Sequence, residues 1–277
     1  MKSSLKQCTI KQSVSMSGTG LHTGKPCRIA LHPAGCGTGR VFITSDGRIP
    51  AHADYLADTR RGTSLKCGSA EVHTVEHLLA ALAGLSIDNV EIEISGPELP
   101  SADGSALPFV ELAESAGRKE LSQPACIMQI TEPVWVSDGD KYVFAVPWDG
   151  FCAAGLISFN HPMIGSQAAG CNITEEFFKK EIAPARTFCT SSEIEMVQSM
   201  GLGLGGSDEN VIVAYEDRYN VPLRYKNEFV RHKILDLIGD LSLAGGRVKG
   251  SITAIKSSHT LNTALTVSIV KQIRERK

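Results

Sequence analysis

The period of the apolar positions changes several times along the chain, and each change predicts an element. Short alternating or β-branched runs at 5–14, 26–32 and 39–44, separated by SGTG, HPAGCGTG and SDG, predict strands joined by turns. From Thr74 the period lengthens. Val75, Leu78, Leu79 and Leu82 recur at i, i+3, i+4 and i+7, which predicts an amphipathic helix over 73–83 with Gly84 as its stop. Asn89 to Ile94 alternates strictly, as a strand does, and 107–117 returns to helical spacing. Around Leu121-Ser122-Gln123-Pro124 the pattern breaks, then starts again with strand-like runs at 126–130, 142–147 and 152–159. Helices are predicted at 174–181, 191–200, 227–244 and 260–275, and strands at 210–215 and 248–256. The second half thus repeats the plan of the first, a mostly antiparallel sheet with a few helices. The expected fold class is α+β, with similar domains at 1–123 and 124–277.

Composition narrows the function classes. With 42% hydrophobic and 21% charged residues the chain is an ordinary globular protein, and no window approaches the roughly 18 uninterrupted apolar residues of a membrane span. A net charge of -2 gives no reason to expect nucleic acid, and Lys179-Lys180 and Arg60-Arg61 read as solvated faces. The first 18 residues lack the apolar stretch of about 7–15 that a secretory signal needs, so a cytoplasmic protein is expected. Eight cysteines never approach CxxC spacing, and they read as reduced thiols, mostly in the core.

Candidate chemistry is concentrated in a few stretches. GTGLHTGK at 18–25 fails as a phosphate loop, because Thr19 and Pro26 stand where glycine and Ser or Thr are required. Gly201, Gly203, Gly205 and Gly206 follow a helix and precede a strand, the reverse of the dinucleotide-binding order, and read as a flexible turn. His73-Thr74-Val75-Glu76-His77 spells HxxEH, in which two histidines four apart on a helix hold zinc and the glutamate activates water, as in the inverzincin peptidases. A second constellation lies at 228–240: His232, Asp236 and Asp240 recur every four residues on one helix face, and imidazole and carboxylate are donors that zinc accepts. The competing explanation there is a salt-bridge ladder through Arg231. A third cluster surrounds His259 at a strand-to-helix junction, where it could act as a general acid oriented by a carboxylate such as Asp240.

The blocks SGTGLHTGKP, HTVEHLLAALAGLSIDNVEIEI, ELPSADGSALPFVE, ISFNHPMIG, ARTF and EFVRHKILDLIGDLSLAGGRVKGSITAIKSSHTLN resemble, in order and nearly end to end, the LpxC family of zinc-dependent UDP-3-O-acyl-N-acetylglucosamine deacetylases. The resemblance implies two α+β domains packed so that helices are sandwiched between two sheets. It implies hydrolysis of the N-acetyl group of an acylated UDP-sugar, with release of acetate, at the committed step of lipid A biosynthesis. One zinc would sit on His77, His232 and Asp236, with ferrous iron able to use the same donors, and His73 would fall outside the site. Glu76 would be the base, His259 held by Asp240 the acid, and Thr187 of ARTF the oxyanion donor. Lys233 would meet the diphosphate, Phe159 the uracil and Phe188 the sugar, with His22 near the hexosamine. Residues 189–213 would form an apolar passage for the 3-O-acyl chain, with Ile194, Val197, Val211 and Val213 as lining. Ser258 stands before His259 where the family pattern expects glycine. A cytoplasmic monomer without nucleic-acid partners or a transmembrane segment completes the expectation.

Overall fold

The computed structural model describes residues 5–276; Met1–Ser4 and Lys277, the outer ends of the two expected domains, lie outside them. Two main sheets carry the fold. The first runs, edge to edge, Val14–Thr19, Pro26–Pro33, Val90–Ser95, Arg40–Thr44 and Gly47–Pro50. The second runs Val134–Asp138, Lys141–Val146, Arg247–Ile255, Phe151–Ser158 and Ser166–Asn172, with Ile127–Gln129 laid parallel beside the start of Arg247–Ile255. In both sheets the strand latest in the chain inserts between the second and the third, antiparallel to the second and parallel to the third. The two outer pairs of each sheet are antiparallel. The repeated plan therefore holds strand for strand, and the fold is α+β.

A strand reaches a slot beside a parallel neighbour only through a crossover. In each half that crossover contains the helix next to the site. The helices are α1 (Glu76–Gly84), α2 (Leu107–Ser115), α3 (Glu175–Phe177), α4 (Ile194–Ser199), α5 (Glu228–Leu241) and α6 (His259–Arg274). Helix α1 precedes the central strand of the first sheet, and α5 precedes that of the second. The two equivalent helices pack on each other, with α2 against α1 and α6 against α5. One apolar cluster runs from Ile29, Leu31 and Phe42 of the first sheet through Leu78, Leu79 and Leu82 to Leu237, Ile252 and Leu265. Helices are thus sandwiched between two sheets, each large buried side chain contributing about 1.5–3 kcal/mol. A β-carbon on Gly239 would collide with the carbonyl oxygen of Glu76, so this glycine sets how closely α5 approaches α1.

Several expectations change in detail. Helix α1 starts at Glu76, not at residue 73, because Thr74 turns the chain with φ +58. Gly84 lies inside α1, where its missing side chain admits the fully buried ring of Phe178; Ser86, with φ +55, takes the left-handed turn beyond. The helix expected at 174–181 is the single turn of α3 followed by a wider π-helical turn at Phe178–Ile182. Arg118–Pro124 is a strand paired with Lys6–Ile10, and its mostly exposed side chains erase the alternation that would reveal it. Ser166–Asn172, SQAAGCN, is hidden by its small and polar residues, and Val134–Asp138 was likewise unexpected. All eight cysteines are free as expected, but Cys27 alone is buried, so most thiols lie outside the core.

Candidate active site

Helix α5 is anchored at its first residue. The buried carboxylate of Glu228 accepts from the backbone N–H of Arg186 and of Arg224, and from the Arg186 guanidinium at 2.8 Å and 3.2 Å. An anion there also suits the positive end of the helix dipole. From this anchor fourteen residues run without a break, so His232, Asp236 and Asp240 fall on one face. His77 comes from the first turn of α1. Its ring meets that of His232 edge to face at 5.0 Å between centroids.

The Nε2 atoms of His77 and His232 stand 3.6 Å and 3.4 Å from one oxygen, Oδ1 of Asp236. Two donors about 2.0–2.2 Å from a tetrahedral zinc stand roughly 3.3–3.6 Å apart. This Oδ1 is buried and has no hydrogen-bond partner among the described residues, a costly state unless something cationic meets it. The carbonyl of Ala185 lies 3.0 Å from His232 Nδ1 and can only accept, so the ring proton sits there and leaves Nε2 as a lone pair. Burial pushes His232 down to about 4 against the pull of Asp236, which keeps the imidazole neutral. Burial alone would raise Asp236, but the charges of Lys233 and His259 outweigh it and hold the carboxyl well below the usual range. Two imidazoles and one carboxylate with an orphaned oxygen fit a single divalent cation, and these three residues could hold one.

Glu76, next to His77, is 2% exposed and accepts from the backbone N–H of Thr63 at 2.9 Å. Across from it, Asp240 is fully buried and accepts from the Thr63 hydroxyl at 2.6 Å, from His259 Nδ1 at 3.0 Å and from Asn262 Nδ2 at 3.0 Å. His259 opens α6, with its Nε2 3.9 Å from Asp236 Oδ2. Burial opposes its charge, yet Asp240 and Asp236 raise it to about 9, so the ring is protonated at neutral pH. Ser258 is extended, at φ -135, a conformation open to any residue; glycine is not required there.

His73 stands apart. It lies before α1 in an isolated bridge with Glu98, and its Nδ1 is 2.9 Å from the Ser64 hydroxyl. The shared helix face assumed for the HxxEH pair is absent. Arg231 turns to Glu181 and Asn227, which removes the salt-bridge ladder as an explanation of Asp236 and Asp240.

Of the remaining expected residues, Phe188 and Lys233 touch the cluster. Phe188 packs 6.4 Å from His232 and 5.6 Å from Phe159, centroid to centroid. Lys233 reaches Asp236 Oδ2 at 2.9 Å; burial disfavours its charge, and Asp236 more than compensates, raising its pKa. Thr187, half-buried beside Phe188, donates its N–H to Gly104 O at 2.8 Å. His22 places Nε2 3.1 Å from the carbonyl of Arg61, while its Nδ1 is buried without a partner among the described residues. Ile194 and Val197 of α4, with Val211 and Val213, are half-buried, and Ile212–Ala214 pairs in parallel with Phe188–Thr190. The glycine turn read as flexible is docked instead: Leu204 and Gly205 donate to the carbonyls of His22 and Leu21. Thr63, Glu98, Asn262 and Glu228 were not found from the sequence. Asn262 follows His259 at helical spacing, which is a usable signal, but nothing local marks Thr63 as the partner of a carboxylate far along the chain.

A buried His-His-Asp cation site flanked by a carboxylate and a histidine–aspartate pair is the equipment of a metal-dependent hydrolase. Comparison with known proteins gives the particular kind. Residues 7–271 match the protein-family model described as LpxC, UDP-3-O-acyl N-acetylglycosamine deacetylase. Curated relatives named UDP-3-O-acyl-N-acetylglucosamine deacetylase include one from Anaeromyxobacter sp. (strain Fw109-5), 44% identical over 94% of this chain and 86% of the relative. Another, from Leptospira biflexa serovar Patoc, is 41% identical over 99% of this chain and 92% of its own. A third, from Xanthomonas axonopodis pv. citri, is 44% identical over 94% and 88%. The chain belongs to the UDP-3-O-acyl-N-acetylglucosamine deacetylase family.

Proposed function

We propose that the chain hydrolyses the N-acetyl group of a UDP-3-O-acyl-N-acetylglucosamine, releasing acetate at the committed step of lipid A biosynthesis. The observation that carries this reading is the orphaned Asp236 oxygen facing two histidine nitrogens, in a chain of this family. The donor set suits zinc, one per chain on His77, His232 and Asp236, and ferrous iron would accept the same donors. When bound, the metal supplies Lewis acidity, which lets water ionise near neutral pH and polarises a carbonyl oxygen.

The protein's own groups do the rest. Glu76, with one oxygen tied to Thr63, takes the proton of the attacking water on the other. Thr187 donates to the developing oxyanion. His259, charged through Asp240, holds a proton on Nε2 and delivers it to the leaving amine. Base and acid come from different helices, α1 and α6, and so address opposite sides of the scissile bond. Lys233 leaves Asp236 for the diphosphate, Phe159 stacks on uracil, Phe188 covers the sugar and His22 borders the hexosamine. Residues 189–213, with Ile194, Val197, Val211 and Val213, receive the acyl chain.

Segments 1–123 and 124–277 act as two domains, a division supported by their equal strand order. The site is complete within one chain, which supports a monomer, and the nucleotide-sugar substrate supports a cytoplasmic enzyme. No helix among the described residues is long and apolar enough to cross a membrane. The test is acetate release from UDP-3-O-(3-hydroxymyristoyl)-N-acetylglucosamine by the metal-loaded protein. Wild type is expected to turn over, and Glu76→Gln to lose about 10²–10⁴-fold in kcat while binding metal equally. A metal-loaded wild type that releases no acetate would overturn the reading.

A further inference from the structure

The base and the acid are carried by different halves of the molecule, α1 in one and α5 with α6 in the other, so something must hold them in register. Thr63 touches both. It is fully buried at the end of the loop joining Leu56–Asp58 to Ser64–Cys67. Its backbone N–H donates to Glu76 Oε2 at 2.9 Å, and its carbonyl accepts from Val75 N–H at 3.1 Å, where α1 begins. Its hydroxyl donates to Asp240 Oδ1 at 2.6 Å, a short bond to a charged acceptor. The same loop reaches α6 through Thr59, whose hydroxyl lies 2.8 Å from that of Thr260, the neighbour of His259.

We propose that Thr63 is a positioning residue for this reaction, fixing the base and the acid's carboxylate partner relative to each other across the seam between the halves. This rests on the deacetylase reading above. The hydroxyl has one proton, and an ionised carboxylate can only accept, so the proton points at Asp240; the 3.4 Å approach to His259 Nδ1 is secondary. With Oδ1 held by Thr63, Oδ2 is left for His259 and Asn262 together. Remove the hydroxyl and a buried carboxylate oxygen loses its donor, and the group is free to rotate away from the imidazole. Gly62 adds to the arrangement on the base side. A β-carbon there would stand 3.3 Å from Glu76 Oε1, so its absence keeps the second oxygen of the base uncovered.

The experiment compares Thr63→Val, which keeps shape and loses the donor, with Thr63→Ser, which keeps the donor and loses a methyl group. Both are metal-loaded and assayed for acetate release over a full substrate range. Thr63→Val is expected to lose about 10- to 100-fold in kcat with KM unchanged and metal content equal to wild type, as for a buried charged acceptor left without its donor. Thr63→Ser is expected to recover most of that loss. The proposal is overturned if Thr63→Val keeps wild-type kcat, if its loss lies in KM, or if Thr63→Ser is equally impaired. Should the valine protein not fold, Thr63→Ala set against Thr63→Ser makes the same comparison, with the same outcomes. An inactive wild type would instead strike the deacetylase reading, so the two failures are distinguishable.

Discussion

His73 with His77 and His232 with Asp236 are both pairs spaced four apart in helix-like sequence, yet only the second pair shares a helix face. The first is broken by one residue. Thr74 takes φ +58, Val75 becomes the N-cap position, and α1 begins at Glu76, leaving His73 in an extended bridge beside Glu98. The second pair lies within an unbroken helix pinned at Glu228. Spacing of four places two donors together only if every residue between them is helical. His77 therefore finds its partners on the other half of the molecule, brought there by the close contact of α1 and α5 at Gly239.

The comparison can be broken from the α5 side most strongly. Glu228→Ala strands the buried Arg186 guanidinium and frees the first turn of α5, and is expected to cost about 3–5 kcal/mol in urea unfolding. Asp240→Asn keeps the shape of that face but removes the charge that sustains His259. Its kcat is expected to fall about 10²–10⁴-fold, and the alkaline limb of its pH profile to move to lower pH.

Stability against pH probes the same segment in metal-free protein. His259 is raised to about 9 from an ordinary 6.5, so its charge stabilises the fold fully below 6.5, and that contribution is lost as pH rises through about 9. The expected loss is on the order of 3 kcal/mol between those limits in wild type, and much less in His259→Gln. On the α1 side the effect is small. His73→Ala loses a half-exposed hydrogen bond to Ser64, worth under about 1 kcal/mol in thermal melts, and is expected to leave acetate release unchanged.

Periodicity made α5 legible, and with it His232 and Asp236 on one face, because an amphipathic helix announces its faces locally; the choice of His77 without His73 as the third donor came from the family resemblance. The strand order was legible only as a repeated plan, since register depends on partners far apart in the chain. Arg118–Pro124 escaped because a mostly exposed strand has no apolar alternation. The start of α1 escaped because a left-handed threonine carries no signal of its own; it is held by the Glu98 carboxylate, which accepts from the Thr74 hydroxyl and from the His22-Thr23 loop. Thr63 escaped for the same reason of distance: its hydroxyl serves Asp240, 177 residues away.

The central claim is that one metal sits between the two halves on His77, His232 and Asp236, and not on the HxxEH pair. Zinc titration against a chromophoric chelator, on wild type, His73→Ala and Asp236→Ala, tests it most directly. The account predicts one zinc per chain for wild type and His73→Ala, with equal affinity, and none held by Asp236→Ala at the same concentration. Loss of zinc from His73→Ala with retention by Asp236→Ala would contradict it.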